Sequence, residues 1–299
     1  MKVLVTGTSG QLGYDVALEL KKRGHEAIGA DRHEAATEAF SHVVLDITDA
    51  TKVDEVVRKL KPDAIIHCAA WTNVDGAEEP ENLAAVRAVN VEGTGNLAEA
   101  AKAEDAKFMY ISTDYVFNGE GEEPWRPDDD DFAPINVYGQ SKLDGELKVR
   151  EILDKYFIVR IAWVFGKNGK NFVKTMIEVG RNHAEVKVVD DQIGSPTYCP
   201  DLARLLVDMI ETERYGIYHA TNSGDYISWA DFTEEIYRQA NIDTKVIRIT
   251  TQEYLANNQG KQIAKRPFNS RLDKSKLEAS GFTPLPAWQD ALKKYLGNS

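Results

Sequence analysis

The stretch Lys2-Val3-Leu4-Val5-Thr6-Gly7-Thr8-Ser9-Gly10-Gln11-Leu12-Gly13 decides the fold. Lys2 to Thr6 reads as a short buried strand. Tyr14 to Arg23 carries helical periodicity through Val16, Leu18 and Leu20. Between them the glycines fall three and three apart. That spacing permits a tight turn and a close backbone approach, and it leaves a helix N-terminus facing a pyrophosphate. The stretch therefore predicts a dinucleotide-binding strand, turn and helix.

Working outward, Glu26 to Ala30 is a second strand ending in Asp31-Arg32. An acid there suits the ribose hydroxyls of NAD, whereas the adjacent Arg suits the 2′-phosphate of NADP, so NADPH and NADH both stand as expectations. His42 to Leu45 is a third strand, with Asp46-Ile47 at its C-terminal end. Thr51 to Leu60 is an amphipathic helix that Pro62 closes. Ala64 to Ala70 is a fourth, continuously apolar strand, as a parallel sheet covered on both faces requires. His67 and Cys68 are read as core residues. A long helix is expected over Glu81 to Lys102, with Asn90 inside it bonding outside the helix or packing. Lys107 to Thr113 is the fifth strand. This alternation predicts an α/β, doubly wound, Rossmann-like parallel sheet. Thr6-Gly7, Asp31, Asp46, Ala70 and Thr113 all fall at strand C-termini, where such sheets bind ligands.

Ser112-Thr113-Asp114-Tyr115-Val116-Phe117 ends the fifth strand, and Tyr138-Gly139-Gln140-Ser141-Lys142 follows. With Asn136 as a helix cap, Tyr138 and Lys142 lie one turn apart on one face. An ammonium beside a phenol favours the phenolate and brings it toward a useful pKa, and a nearby hydroxyl can hold a substrate oxygen. Successive strand side chains point to opposite faces, so Ser112 and Thr113 are not expected to serve one site equally.

The 299 residues, 42% of them apolar, support one large α/β domain with an elaboration or two modest domains. A net charge of −12 argues against a nucleic-acid partner. No apolar run reaches the ~18 residues of a membrane span, and Met1-Lys2 leads straight into the first strand, so a cytoplasmic protein is expected. Two cysteines, Cys68 and Cys199, and six scattered histidines give neither a disulfide framework nor a metal-spaced cluster.

Ile158 to Gly166 is a sixth strand. Beyond it, helices are expected over Asn171 to Arg181, Leu202 to Ile210 and Trp229 to Gln239, with Trp288 in a final helix. The expected organisation is an NAD(P)-binding domain over 1–165 and a smaller α/β substrate-binding part over 166–299, with some segments returning to the first. Arg266 and Arg271 lie in a cationic cluster of an acidic chain and are candidates for a pyrophosphate or for holding the loop that binds it.

Gly7-x-x-Gly10-x-x-Gly13 together with Tyr138-x-x-x-Lys142 resembles the extended short-chain dehydrogenase/reductases acting on nucleotide sugars. The runs Ser112 to Phe117, Asn136 to Gly139, Asp191-Gln192-x-Gly194-x-Pro196-Thr197 and Arg266-Pro267-x-Asn269-Ser270-Arg271-Leu272 resemble the dTDP-4-dehydrorhamnose reductase family within it. That resemblance, over nearly the whole chain, implies reduction of dTDP-4-dehydro-L-rhamnose to dTDP-L-rhamnose with NAD(P)H, the final step of dTDP-rhamnose synthesis. It implies catalysis by Thr113, Tyr138 and Lys142. The implied cofactor pocket holds Gly7, Gly10, Gln11, Leu12, Gly13, Asp31, Arg32, Asp46, Ile47, Ala69, Ala70, Trp71 and Thr72 with Tyr138 and Lys142. Thr113, Asp114, Tyr138, Trp163, Arg266 and Arg271 would meet the substrate. Tyr115 stands where sugar 4,6-dehydratases place a Glu, which argues against dehydration. Some relatives dimerise around Mg²⁺, but no carboxylate grouping assigns such a site, so monomer and homodimer both stand. Two other readings stay open: another nucleotide-sugar reductase or epimerase, and a non-catalytic regulatory subunit.

Overall fold

The computed structural model describes residues 1–34 and 39–297. Six strands come in the expected order: β1 (Lys2–Thr6), β2 (Glu26–Asp31), β3 (Ser41–Val44), β4 (Ala64–His67), β5 (Lys107–Thr113) and β6 (Tyr156–Ile161). They pair as β6-β5-β4-β1-β2-β3, and Gly216–His219 joins at the β6 edge to complete a seven-stranded parallel sheet. Chain order reverses between β1 and β4, which leaves a crevice above the strand C-termini.

Two-residue alternation splits the core between the sheet faces. Val3 and Val5 pack with Val16 and Leu20 of α1 (Gln11–Lys22), whereas Leu4 packs with Val53 and Val57 of α2 (Ala50–Leu60). Each such side chain, fully buried, contributes about 1.5–3 kcal/mol. Because both faces are covered, the strands read as unbroken apolar runs. His67 belongs to this interior, with Nδ1 2.7 Å from Thr6 Oγ1 and Nε2 3.1 Å from Thr94 Oγ1.

Three expectations change. The helix over Glu81 to Lys102 is broken: a 3-10 turn at Pro80–Asn82, α-helix at Leu83–Arg87, a π-turn at Ala88–Glu92, then α-helix at Gly93–Ala103. Asn90 sits in the π-turn and explains it. Its side chain accepts from Trp71 N (2.8 Å) and donates to Ser141 Oγ (2.8 Å) and Trp71 O (3.2 Å), tying the post-β4 loop to the next helix. The sixth strand stops at Ile161, because Trp163 adopts φ +50° and turns the chain; Val164–Phe165 pairs instead with Thr197–Tyr198. Helix α1 starts at Gln11, three residues before the expected start at Tyr14.

Helix Cys199–Ile210 returns to the first core beside α1, and Gly216–His219 to the sheet. The later elements build a second core around Phe165, Phe232, Ile236 and Trp288.

Candidate active site

A cavity of about 840 Å³ lies above the sheet's C-terminal edge. The first wall is the glycine turn. Gly7 has φ +75°, and a Cβ there would stand 2.6 Å from Ala69 N, so neither turn nor packing tolerates a side chain. A Cβ on Gly13 would stand 2.7 Å from the Gly7 carbonyl carbon, so α1 seats directly on the turn. Gly10 caps α1 without any side-chain hydrogen bond, and no acidic residue lies in the first turn. The helix thus presents free N–H groups and its positive end to the cavity, which fits a pyrophosphate.

Asp31 ends β2 on the cavity wall, its carboxylate accepting from Ser9 N (3.1 Å) and Arg32 N (2.8 Å). Arg32, Asp46, Ile47, Ala69, Ala70, Trp71 and Thr72 line the same cavity. Thr48 holds Asp46 through its backbone N (2.9 Å) and hydroxyl (2.7 Å), and these bonds keep the Asp46 carboxyl below the usual range.

The opposite wall comes from β5 and helix Val137–Ile152. Asn136 caps that helix as expected, accepting from Gly139 N at 2.7 Å, and Glu78 Oε1 accepts from Val137 N at 2.7 Å. Tyr138 and Lys142 both reach the cavity with Thr113 and Asp114. The Lys142 ammonium lies 4.0 Å from the Tyr110 ring centroid, and Tyr115 meets Tyr138 edge to face at 5.7 Å. Thr113 Oγ1 donates to Asp114 at 2.9 Å. Ser112 also lines the cavity, but its buried hydroxyl has no partner among the described residues.

Trp163 lines the cavity, whereas Arg266 and Arg271 are not on its wall. Arg266 pairs with Asp75 (2.8 Å) and Arg271 Nη1 donates to Asn269 Oδ1 (3.0 Å). Their segment reaches the site at Ser270, which is buried and holds back the rise of the Asp114 pKa. Sequence reasoning missed Ser270, and it missed Phe172 and Trp229, which complete the wall beside Trp163. Trp229 carried no local signal beyond its place at a helix start.

The chain matches the model described as the RmlD substrate binding domain over residues 1–299. It is 41% identical over 295 residues to the dTDP-4-dehydrorhamnose reductase of Streptomyces griseus, covering 97% of this chain and 91% of that protein.

The chain belongs to the dTDP-4-dehydrorhamnose reductase family.

It is also 37% identical to the spore coat polysaccharide biosynthesis protein SpsK of Bacillus subtilis, covering 99% of this chain and 96% of that one. The crystal structure of dTDP-4-dehydrorhamnose reductase from Bacillus anthracis in complex with NADP superposes with a TM-score of 0.89. The two are 39% identical over 100% of this chain and 99% of that one.

Within this dTDP-4-dehydrorhamnose reductase fold, burial dominates the electrostatics. It pushes the Tyr138 phenol up, Asp114 adds to the rise, and Thr113 beside it opposes the rise. That direction is opposite to the one expected from an ammonium beside the phenol. Lys142 is itself buried, which pushes it down to about 7 against the upward pull of Glu146. Among the described residues no group of three or more His, Cys, Asp or Glu could hold a metal ion, and no helix is long and apolar enough to cross a membrane.

Burial also pushes Asp114 from 3.8 up to about 6, while Ser270 and Thr113 hold it back. Between those values the folded state binds more protons than the unfolded one, so stability falls as pH rises and the full penalty stands above about 6. Asp114→Asn, whose amide oxygen still accepts from Thr113, is expected to melt above the wild type near pH 8, by a margin that disappears toward pH 4. Calorimetry at both pH values checks this; an unchanged margin would rule out the carboxylate as its source.

Proposed function

We propose that this chain reduces the 4-keto group of dTDP-4-dehydro-L-rhamnose to dTDP-L-rhamnose with a reduced nicotinamide dinucleotide, the last step of dTDP-rhamnose synthesis. The observation that carries the reading is the meeting of Thr113, Tyr138 and Lys142 on one cavity wall, opposite an uncapped helix N-terminus. A nicotinamide dinucleotide supplies a hydride when bound. The N–H groups after Gly10 would hold its pyrophosphate, Asp31 or Arg32 its adenosine ribose, and Lys142 its nicotinamide ribose. Tyr138 delivers a proton to the keto oxygen, and Thr113 holds that oxygen in place. Tyr115 occupies the place where elimination would need a carboxylate.

Arg266 serves this site through the loop. Its pair with Asp75 and the bond from Asn136 to Lys265 O (2.8 Å) tie residues 264–266 to the start of helix Val137–Ile152. The cofactor unit comprises 1–165 together with 199–220, and the remainder forms the substrate unit. Both NADPH and NADH are accepted, through Arg32 and Asp31 respectively.

The test follows cofactor oxidation by the purified protein with dTDP-4-dehydro-L-rhamnose and each cofactor. Oxidation with either one is expected, and loss of the NADPH rate alone in Arg32→Ala. A protein that binds cofactor but leaves it unoxidised would overturn the reductase reading.

A further inference from the structure

The structure assigns to Trp229 the positioning of Trp163: the two indoles form one stacked unit, and the sugar-binding wall has its working shape only while Trp229 is in place. This rests on the proposed reduction and on the family resemblance, which implies that Trp163 meets the sugar.

Trp163 has a left-handed backbone at φ +50°, uncommon for a non-glycine residue and maintained only where the surroundings over-determine it. Three contacts do so. Trp229 stacks on it with ring centroids 3.6 Å apart and planes 14° apart. Gly194 packs on it so closely that a Cβ there would stand 3.0 Å from Cε2 of Trp163. Thr197 N donates to the Trp163 carbonyl at 3.1 Å, which holds the backbone turn. Of these, Trp229 is the aromatic partner, stacked on the face of the indole.

Trp229 is itself rigidly placed. It is the first residue of helix Trp229–Ala240, after a capping box in which the Ser228 hydroxyl accepts from Asp231 N and the Asp231 carboxylate accepts from Ser228 N. Ser228 Oγ donates to Asp190 at 2.6 Å, and Phe172 packs 4.4 Å from the Trp229 ring centroid. Trp229 also lines the cavity, so the wall is a double indole contributed by both halves of the chain. A side chain held this way limits the rotamers of Trp163, whereas a smaller residue would leave that indole free to swing into the cavity.

The test compares wild type, Trp229→Ala and Trp229→Phe. Trp229→Ala is expected to raise KM for the dTDP-sugar about tenfold, the worth of one aromatic pair, with kcat changing far less and KM for NADPH unchanged. Trp229→Phe should recover most of the loss. Stacked indoles also give an exciton couplet in the far-ultraviolet circular dichroism; it should be present in the wild type and absent from both Trp229→Phe and Trp163→Phe. An unchanged sugar KM in Trp229→Ala overturns the inference, as does an equal rise for both substrates or a couplet that survives in Trp229→Phe. If Trp229→Ala does not fold, the Phe variant and the couplet decide. A wild type that binds the sugar without turnover overturns the reductase reading alone, and the same comparison then runs on Kd; one that does not bind the sugar overturns both.

Discussion

Tyr138→Phe is expected to lower kcat about a thousandfold, the range for removing a general acid. The variant keeps the ring that meets Tyr115 edge to face at 5.7 Å and loses only the hydroxyl, so fold and cofactor affinity should survive. The electrostatics favour the acid role. Burial, with Asp114 behind it, holds the phenol's proton well into the alkaline range, so the form that donates is the populated one at neutral pH. Each turnover places a hydride on carbon and a proton on oxygen, and only the second is lost. Cofactor oxidation measures kcat, and an NADPH titration checks that binding is intact. A Tyr138→Phe protein with wild-type kcat would move the proton donor elsewhere.

The second large effect is on stability. Arg160 and Glu146 are fully buried, joined by two bonds of 2.9 and 2.8 Å, and Arg160 also donates to Pro127 O at 3.2 Å. His219 completes the group, its Nε2 3.4 Å from Arg160 and its Nδ1 3.1 Å from Trp125 O. Arg160→Met leaves the Glu146 carboxylate buried without its partner and is expected to destabilise the fold by about 3–5 kcal/mol. Against a total of about 5–15 kcal/mol, that is a large part of the margin. Glu146 stands one turn beyond Lys142 and holds that ammonium's pKa up, so the pair also supports the site. The double variant Arg160→Met with Glu146→Met should recover much of the loss, because no unpaired charge remains. Urea denaturation of the wild type and both variants checks this. Equal losses in single and double variants would show that the lost packing, and not the orphaned charge, is the cause.

Much of the site was legible because it is local. Gly7, Gly10 and Gly13 sit within one turn, and Tyr138 and Lys142 within one helical turn, so spacing along the chain carries their geometry directly. The same holds for Asp31, Asp46 and Thr113, each at or just past the end of an apolar run that marks a buried strand. Local reasoning failed where a distant partner overrode it. Asn90 turned an expected continuous helix into a π-turn by bonding Trp71 and Ser141, and Trp163 ended a strand two residues after Ile161 by turning left-handed beneath Trp229.

By itself, the sequence determined the strand, turn and helix that open the chain, the parallel sheet, and the residues at its C-terminal edge, because periodicity and short spacings set these within a few residues. Only the tertiary structure decided that Phe172 and Trp229 join the wall, that Ser270 comes to Asp114, that Arg266 pairs with Asp75, and that Arg160 meets Glu146. It also decided the direction in which burial moves the pKa values of Tyr138, Lys142 and Asp114. The physical reason is common to all of these. Contacts between residues far apart in the chain, and the removal of charged groups from water, exist only once the sheet has closed its two cores around them.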